Sequence, residues 1–184
     1  NAAWSGTGGG LFKSTDGAKP GLYWIRADGG GEAVRLTDGR ADESPFSISP
    51  DGKRLAYDAN GEKGSRDLFT APILGDSASP RLGKPETFVS TPFAEVGPAF
   101  SPDGRWIAYL STKSGTAEIY VRPFPGPGGR WQVSSGGGAY AVWNRNGREL
   151  LYRDPAMRVI VANYTAAGDS FRPGASAPWP NVQV

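Results

Sequence analysis

The sequence contains no histidine and no cysteine among its 184 residues. These two absences exclude Ser-His-Asp and Cys-His nucleophilic catalysis, metal sites built from His or Cys, and disulfide bonds. A chain without cysteine is insensitive to the redox state of its surroundings, so its composition leaves the compartment open. We expect no catalytic residues, no metal site and no bound cofactor.

Long runs of residues with one sign of charge, and long runs of apolar residues, are also missing. The 20 basic and 18 acidic residues are interspersed, so no basic stripe of the kind that binds nucleic acid is present, and we expect no nucleic-acid partner. No apolar stretch approaches the roughly 20 residues that span a bilayer, which predicts no direct membrane insertion. The single methionine is Met157, so we expect the chain to be a processed or excised segment of a longer protein.

Glycine and proline are abundant instead, with 27 and 16 copies. This density disfavours a helix bundle, because each Gly or Pro inside a helix costs about 1 or 3 kcal/mol relative to Ala. Hydrophobic residues still make up 38% of the chain and aromatic residues 11%, enough for a packed core. Many turns combined with many large apolar residues indicate an all-β protein.

A repeat explains this combination. Segments 47–57 and 99–109 both read as an apolar strand, a Ser-Pro-Asp-Gly turn and a second strand. A weaker copy spans 142–152, and a degraded copy opens the chain, with Ser5-Gly6-Thr7-Gly8 at its turn. The large apolar residue before each turn recurs after 44, 52 and 43 residues. This period is typical of a β-propeller blade, which has about 40–50 residues.

Two further strands complete each repeat. The pattern predicts third strands at 22–25, 67–70, 118–121 and 159–161, and fourth strands ending in a hydroxyl at 34–37, 88–91 and 131–134. A longer connection at 75–85 explains the 52-residue step, and the proline-containing tail 171–184 is predicted as an edge strand at best. The prediction is a single propeller segment of about four blades, each with four antiparallel strands, at 1–38, 39–91, 92–135 and 136–184.

Specific stretches resemble a known family. GPAFSPDGRWIAY at 97–109, EIYVRPFPGPGGRWQVS at 118–134, GRELLY at 147–152 and GDSF at 168–171 are similar to the repeat of TolB-like, WD-type propellers. That repeat also occurs in tricorn-like and prolyl-oligopeptidase-type peptidases. The closest resemblance is to the C-terminal, non-catalytic propeller of bacterial receptor-like Ser/Thr kinases. The chain departs from the pattern at 5–8, which lacks the Pro-Asp of the turn, and the pattern breaks off at Val184.

This resemblance implies a ring of about six blades and a periplasmic or extracellular location. Four blades alone would leave the outer faces of the first and last sheets open, and we expect such flanks to be covered either by further blades of a longer sequence or by self-association with another chain. The repeated carboxylates are interpreted as scaffold: Asp51 and Asp103 in turns, Asp67 and Glu118 at the start of third strands.

The resemblance therefore favours a non-enzymatic module that binds a protein or peptide, with a sensor role in a membrane Ser/Thr kinase. The alternatives are a substrate gate in a propeller peptidase and a self-assembling structural segment. Partner binding is predicted in the loops that join strands 4 and 1 and strands 2 and 3, a placement that follows from the fold. The exposed candidates in these loops are Arg40, Asp42, Glu43, Arg66, Phe93, Glu95, Lys113 and Arg153.

Overall fold

The computed structural model describes residues 2–4, 9–15, 19–62, 64–76, 78–145 and 147–179, with the side chains of Ala2 and Trp4 left out of the description. All regular structure in these ranges is β. The chain divides into two compact units, Asn1–Val96 and Gly97–Val184. The degraded turn predicted at 5–8 and the end of the tail, 180–184, lie outside the described residues.

The strands form four antiparallel sheets in chain order. Sheet 1 contains β1 (Ala2–Trp4), β2 (Gly9–Ser14), β3 (Gly21–Arg26) and β4 (Val34–Arg35). Sheet 2 contains β5 (Ser44–Ile48), β6 (Arg54–Asn60), β7 (Arg66–Leu74), β8 (Arg81–Leu82) and β9 (Glu86–Val89). Sheet 3 contains β10 (Glu95–Phe100), β11 (Trp106–Ser111), β12 (Glu118–Pro123) and β13 (Trp131–Gln132). Sheet 4 contains β14 (Ala139–Trp143), β15 (Glu149–Arg153), β16 (Val159–Ala167) and β17 (Ser170–Pro178).

The Ser-Pro-Asp-Gly turn has the same hydrogen bonds in both full copies. In sheet 2 the Ser49 hydroxyl donates to Asp51 Oδ1 at 2.5 Å, and the Arg54 amide donates to Ser49 Oγ at 2.9 Å. In sheet 3 Ser101 Oγ lies 2.5 Å from Asp103 Oδ1. The glycine of each turn has a positive φ (74° and 71°), a conformation that Gly adopts without steric cost. The predicted turn role of both aspartates is therefore confirmed.

Each unit has its own apolar core between two sheets. In the first unit Leu11, Leu22 and Trp24 of sheet 1 pack with Leu55 and Tyr57 of sheet 2. In the second unit the core is aromatic and lies between sheets 3 and 4. The ring of Phe171, fully buried, lies 4.9–6.1 Å from four other aromatic rings, those of Trp106, Trp131, Trp143 and Tyr164. Sheets whose inner faces are this apolar are stable only when stacked on a neighbour.

Two of the fourth strands, β4 and β13, are shorter than predicted, and their terminal hydroxyls explain why, whereas β9 has the predicted length but begins two residues earlier. Leu36 still donates its amide to the Leu22 carbonyl, but the return bond from the Leu22 amide goes to Thr37 Oγ1 at 2.9 Å. Likewise the Ile119 amide donates to Ser134 Oγ at 2.7 Å. A side-chain oxygen has replaced the backbone carbonyl, which ends the ladder.

Two other segments differ from or refine the predictions. The connection 75–85 is not entirely irregular, because β8 pairs with the end of β7 through Ile73 and Leu74. The fourth position of sheet 2 is therefore shared by β8 and β9, since β9 pairs with β7 at 68–70. The predicted edge strand in the tail is confirmed as β17, which pairs with β16. Within the described residues, no helix is of a length and apolar character that could cross a membrane.

Candidate partner-binding face

The loops with the predicted partner-binding residues lie at one end of each sheet. In an antiparallel sheet whose strands follow chain order, strand 1 begins, strands 2 and 3 join, and strand 4 ends at the same end. We call this the loop end. In the first unit the described part of the loop end comprises residues 15, 19–20, 36–43, 61–62, 64–65 and 90–94, and in the second unit residues 112–117, 133–138 and 154–158. The Ser-Pro-Asp-Gly turns lie at the opposite end, which we call the turn end.

Five of the eight predicted residues are exposed at the loop end. They are Arg40, Asp42, Phe93, Lys113 and Arg153. Arg66 is half-buried, with 26% of its side chain exposed. The predicted exposure is wrong for Glu43 and Glu95, which are only 8% and 0% exposed. The cause is that both glutamates lie where the loop enters strand 1, and their side chains turn into the protein.

Ion pairs bring Arg66, Asp42 and Lys13 together. Arg66 Nη1 lies 3.0 Å from Asp42 Oδ2, and Arg66 Nε donates to the buried Asp58 at 2.7 Å. Lys13, on β2, pairs with the other oxygen of Asp42. The hydrogen bond from Lys13 is the main cause that holds the pKa of Asp42 below its usual value. Both cations are therefore already neutralised by Asp42 and Asp58, an arrangement that fixes the two loops of sheet 2 to each other.

Glu95 has a partner within its own loop. The Thr91 hydroxyl lies 2.8 and 3.0 Å from the two carboxylate oxygens of Glu95, and the Phe93 amide donates to Thr91 Oγ1 at 3.1 Å. A buried carboxylate is tolerated when hydrogen-bond donors compensate for its lost hydration. Glu95 therefore anchors the loop that leads into sheet 3.

Glu43 occupies the same repeat position without that partner. Glu43 and Glu95 both precede the turn serine by six residues, but the residue four before Glu43 is Gly39, where Glu95 has Thr91. Glu43 Oε2 is buried and has no hydrogen-bond partner among the described residues. A side chain at position 39 would collide with backbone, since a Cβ there would lie 2.7 Å from the Pro20 carbonyl carbon.

A cavity of about 220 Å³ lies beside Glu43. Its walls include Lys13, Ser14, Thr15, Gly39, Asp42 and Glu43. Burial, followed by the nearby negative charge of Glu43, raises the pKa of Tyr57 to about 12. Glu43 therefore lines the cavity, whereas its Oε2 atom is itself buried in the protein.

The carboxylates at the start of the third strands behave differently from each other. Glu118 accepts a hydrogen bond from the Ser134 hydroxyl and another from the Gly137 amide at 2.9 Å, which supports the scaffold interpretation. Asp67 is equally buried, yet its Oδ1 has no partner among the described residues. Within those residues, no group of three or more acidic side chains is arranged to hold a metal ion.

Two exposed apolar side chains at the loop end of sheet 4 were missed by the sequence analysis. Tyr140 and Met157 are 71% and 60% exposed, and both have positive φ values, 56° and 64°. The Arg153 guanidinium lies 5.8 Å from the centre of the Tyr140 ring. Tyr140 follows three glycines, Gly136–Gly138, a signal for an irregular strand start that could have indicated its outward position.

Comparison with known proteins identifies the fold. No protein-family model matches the chain. A structure described as TolB from Agrobacterium tumefaciens superposes with a TM-score of 0.67 at 19% identity, and TolB from Acinetobacter baumannii with 0.64 at 18%. The β-propeller domain of the Trilobed protease from Pyrococcus furiosus gives 0.56 at 12% and covers 94% of this chain and 55% of that one. The chain has a TolB-like β-propeller fold.

The matched region is a large part of this chain and a smaller part of each relative. The Agrobacterium match covers 92% of this chain and 61% of that one, and the Acinetobacter match covers 94% and 42%. The TolB-like sheets described above therefore correspond to part of the longer chains that they match.

Proposed function

We propose that this TolB-like propeller module is non-catalytic and binds a protein or peptide through its loop end. The supporting observation is that charged and aromatic side chains from separate loops are exposed at the loop end, among them Arg40, Phe93 and Arg153. At the turn end the repeated aspartates are engaged in hydrogen bonds within their own turns. Residues on loops that a rigid sheet positions are well suited to recognition.

The proposal also includes the role of this module in its protein and the location of that protein. A sensor role in a membrane Ser/Thr kinase and a periplasmic or extracellular location follow from the sequence resemblance. The alternative role as the substrate gate of a peptidase is favoured by the structural match to a protease propeller domain. The sequence that flanks this chain in its gene distinguishes the two, because one context supplies a kinase domain and the other a hydrolase.

A peptide-display selection on the purified chain tests the binding proposal. Each selected peptide should bind less tightly to at least one of two charge-reversal variants, Arg40→Glu in the first unit and Arg153→Glu in the second. The peptides should bind equally well to the matched controls Lys84→Glu and Arg145→Glu, which are exposed at the turn end. Selected peptides that bind all four variants equally would contradict the proposal, as would ATP-dependent phosphoryl transfer or peptide hydrolysis by the purified chain.

Self-association is a third candidate function, and the exposed face of sheet 4 favours it. Trp143 and Leu150 point into the core on one face of sheet 4. On the other face, the strand pairing places Val142 beside Leu151 and Leu151 beside Val161. Val142 is 59% exposed, an unusual position for an apolar strand residue. Light scattering coupled to gel filtration should show a concentration-dependent mass above 19.4 kDa that Val142→Lys abolishes. A constant monomer mass would exclude this candidate.

A further inference from the structure

We propose that the turn end of the second unit binds a phosphate group, in a cavity between the Ser-Pro-Asp-Gly turn of sheet 3 and the corresponding turn of sheet 4. This inference goes beyond the proposed function, because it concerns the end of the sheets opposite to the predicted partner-binding loops. It depends on three observations: an excess of arginines at this end, a cavity that two of these arginines line, and a single acidic residue in the cavity wall that is already hydrogen-bonded within its own turn.

The first observation is the charge of the second unit. Residues 97–184 contain nine basic and five acidic side chains, all of them in the described part of the chain. Three of the acids lie at the turn end, and so do six of the bases, which are all arginines: Arg105, Arg122, Arg130, Arg145, Arg148 and Arg172. Among the described residues, no acidic side chain forms an ion pair with Arg105, Arg130 or Arg172. Such an excess of positive charge attracts anions.

The second observation is a cavity of about 520 Å³ that Arg105 and Arg148 line. The two arginines occupy the same repeat position, because each follows the glycine of its turn. The guanidinium of Arg105 donates a hydrogen bond to the carbonyl of Gly168, which is neutral, so this contact orients the side chain without cancelling its charge. A guanidinium presents its donors as a planar fork that matches the oxygens of a phosphate or a carboxylate. The cavity therefore lies beside two groups that prefer oxyanions.

Tyr164 adds another donor to the same wall. Its ring stacks on that of Phe171 with 4.9 Å between the ring centres, which holds the phenol in place. Burial, followed by the nearby negative charge of Asp103, raises the pKa of Tyr164 to about 12, so the phenol keeps its proton at neutral pH. Among the described residues its hydroxyl has no hydrogen-bond partner. The proton is therefore available to an acceptor in the cavity.

The third observation concerns Asp103, the acidic residue of the cavity wall. Its Oδ1 atom accepts hydrogen bonds from the Ser101 hydroxyl at 2.5 Å and from the Arg105 amide at 3.1 Å. Asp169, which follows Gly168, is exposed and lies outside the wall. The wall therefore contains two arginines and one carboxylate that is engaged in its own turn, which leaves one positive charge in excess.

The number of donors favours phosphate over carboxylate. A carboxylate has two oxygens in one plane and is matched by a single guanidinium. A phosphate monoester has three acceptor oxygens and a charge of about −1.5 to −2 at neutral pH. Three oxygens and this charge suit two guanidiniums and a phenol better than a carboxylate does.

The experiment is an amide NMR titration of the purified chain at about pH 7.5 and constant ionic strength, since the second pKa of a phosphate monoester is about 6. The probes are phenyl phosphate, inorganic phosphate and acetate. Phenyl phosphate should shift the amides of Arg105, Gly147 and Gly168 in a saturable way, and acetate should bind at least about tenfold more weakly. Equal binding of both phosphates would assign the site to the free ion, and tighter binding of phenyl phosphate would assign it to a phosphorylated molecule. Shifts without saturation, or acetate binding as tight as that of both phosphates, would overturn the proposal.

Variants of the cavity wall locate the site. Arg105→Gln and Arg148→Gln should each weaken phenyl phosphate binding by about tenfold or more, about 1.4 kcal/mol. Tyr164→Phe keeps the ring packing and removes only the hydroxyl, and it should weaken binding by about threefold or more. Binding at the wild-type level by all three variants would refute the assignment, and Tyr164→Phe keeps the test valid if the loss of an arginine disturbs the fold.

Two further variants separate a defined site from diffuse attraction. Asp103→Asn removes the negative charge of the wall and should tighten phosphate binding; the weaker turn of sheet 4 already has Asn146 at this position. Arg130→Gln removes an exposed arginine of the same end that does not line the cavity, and it should bind phosphate like the wild type. A loss in Arg130→Gln as large as that in Arg105→Gln, or weaker binding by Asp103→Asn, would exclude the cavity as the site.

The outcome is separable from that of the proposed function. Phosphate binding that depends on Arg105 and Arg148 supports this inference whether or not display-selected peptides depend on Arg40 or Arg153. Phosphate binding that Arg153→Glu abolishes and Arg105→Gln leaves unchanged would place the anion at the loop end and overturn the inference.

Discussion

Removing the Thr91 hydroxyl should destabilise the protein more than removing the equivalent hydroxyl of Thr37. In Thr91→Val the fully buried Glu95 loses a donor to its carboxylate, and the Phe93 amide loses its acceptor. A buried charged group that loses a hydrogen-bond donor costs about 1–3 kcal/mol. Thr37→Val leaves only the neutral, buried Leu22 amide without its acceptor, which also costs about 1–3 kcal/mol, and the cost is greater for a charged group such as Glu95.

Urea unfolding followed by tryptophan fluorescence measures this difference. The midpoint should fall in the order wild type, Thr37→Val, Thr91→Val with an unchanged m-value, because a stability change without a change in exposed surface moves only the midpoint. Thr91→Ser retains the hydroxyl and should remain close to the wild type. The reasoning is refuted if Thr91→Val unfolds at the wild-type midpoint, or if Thr91→Ser is destabilised as strongly as Thr91→Val.

Three further variants test other parts of the fold. Phe171→Ala should cost about 3–5 kcal/mol in unfolding experiments, since it empties the middle of an aromatic core, and Phe171→Leu should cost less. Gly39→Ala should lower the melting temperature because φ is +73° and the Cβ would strike Pro20; an unchanged value would contradict the packing described here. The hydrogen bond from the Ser49 hydroxyl is the main cause that lowers the pKa of Asp51 in the folded state. Ionised Asp51 therefore stabilises the folded protein at pH values above its unfolded pKa of about 3.8, and this stabilisation is lost as the pH falls through its folded pKa. Ser49→Ala should therefore flatten the acid limb of the stability profile, and an identical profile would exclude this linkage.

The sequence was most informative where a local pattern also determines the local structure. Ser-Pro-Asp-Gly encodes its turn within four residues, so the positions of Asp51 and Asp103 could be predicted from the letters alone. The first and third strands followed from the spacing of apolar residues around those turns. The all-β propeller fold was predicted for the same reason.

The candidate site was less predictable because burial of a loop residue depends on neighbours that are distant in sequence. Glu43 and Glu95 both precede a strand, and nothing in their local sequence shows that their side chains point inward. Thr91 lies four residues before Glu95, whereas Thr37, the corresponding hydroxyl residue, lies six residues before Glu43. Whether the hydroxyl reaches the glutamate is visible only in three dimensions. The outward position of Met157 depends on a positive backbone φ value, which its residue type does not indicate.

The divided outer edge of sheet 2 has a consequence for solubility. β7 is nine residues long, and its partner β9 covers only the part at 68–70. The remaining backbone amides and carbonyls near Ile73 and Leu74 would form a bare template for strand addition by another molecule. The two-residue β8 occupies that template and presents the charged, exposed Arg81 to solvent. A segment that looks like surplus connection in the sequence thereby protects the chain against edge-to-edge aggregation.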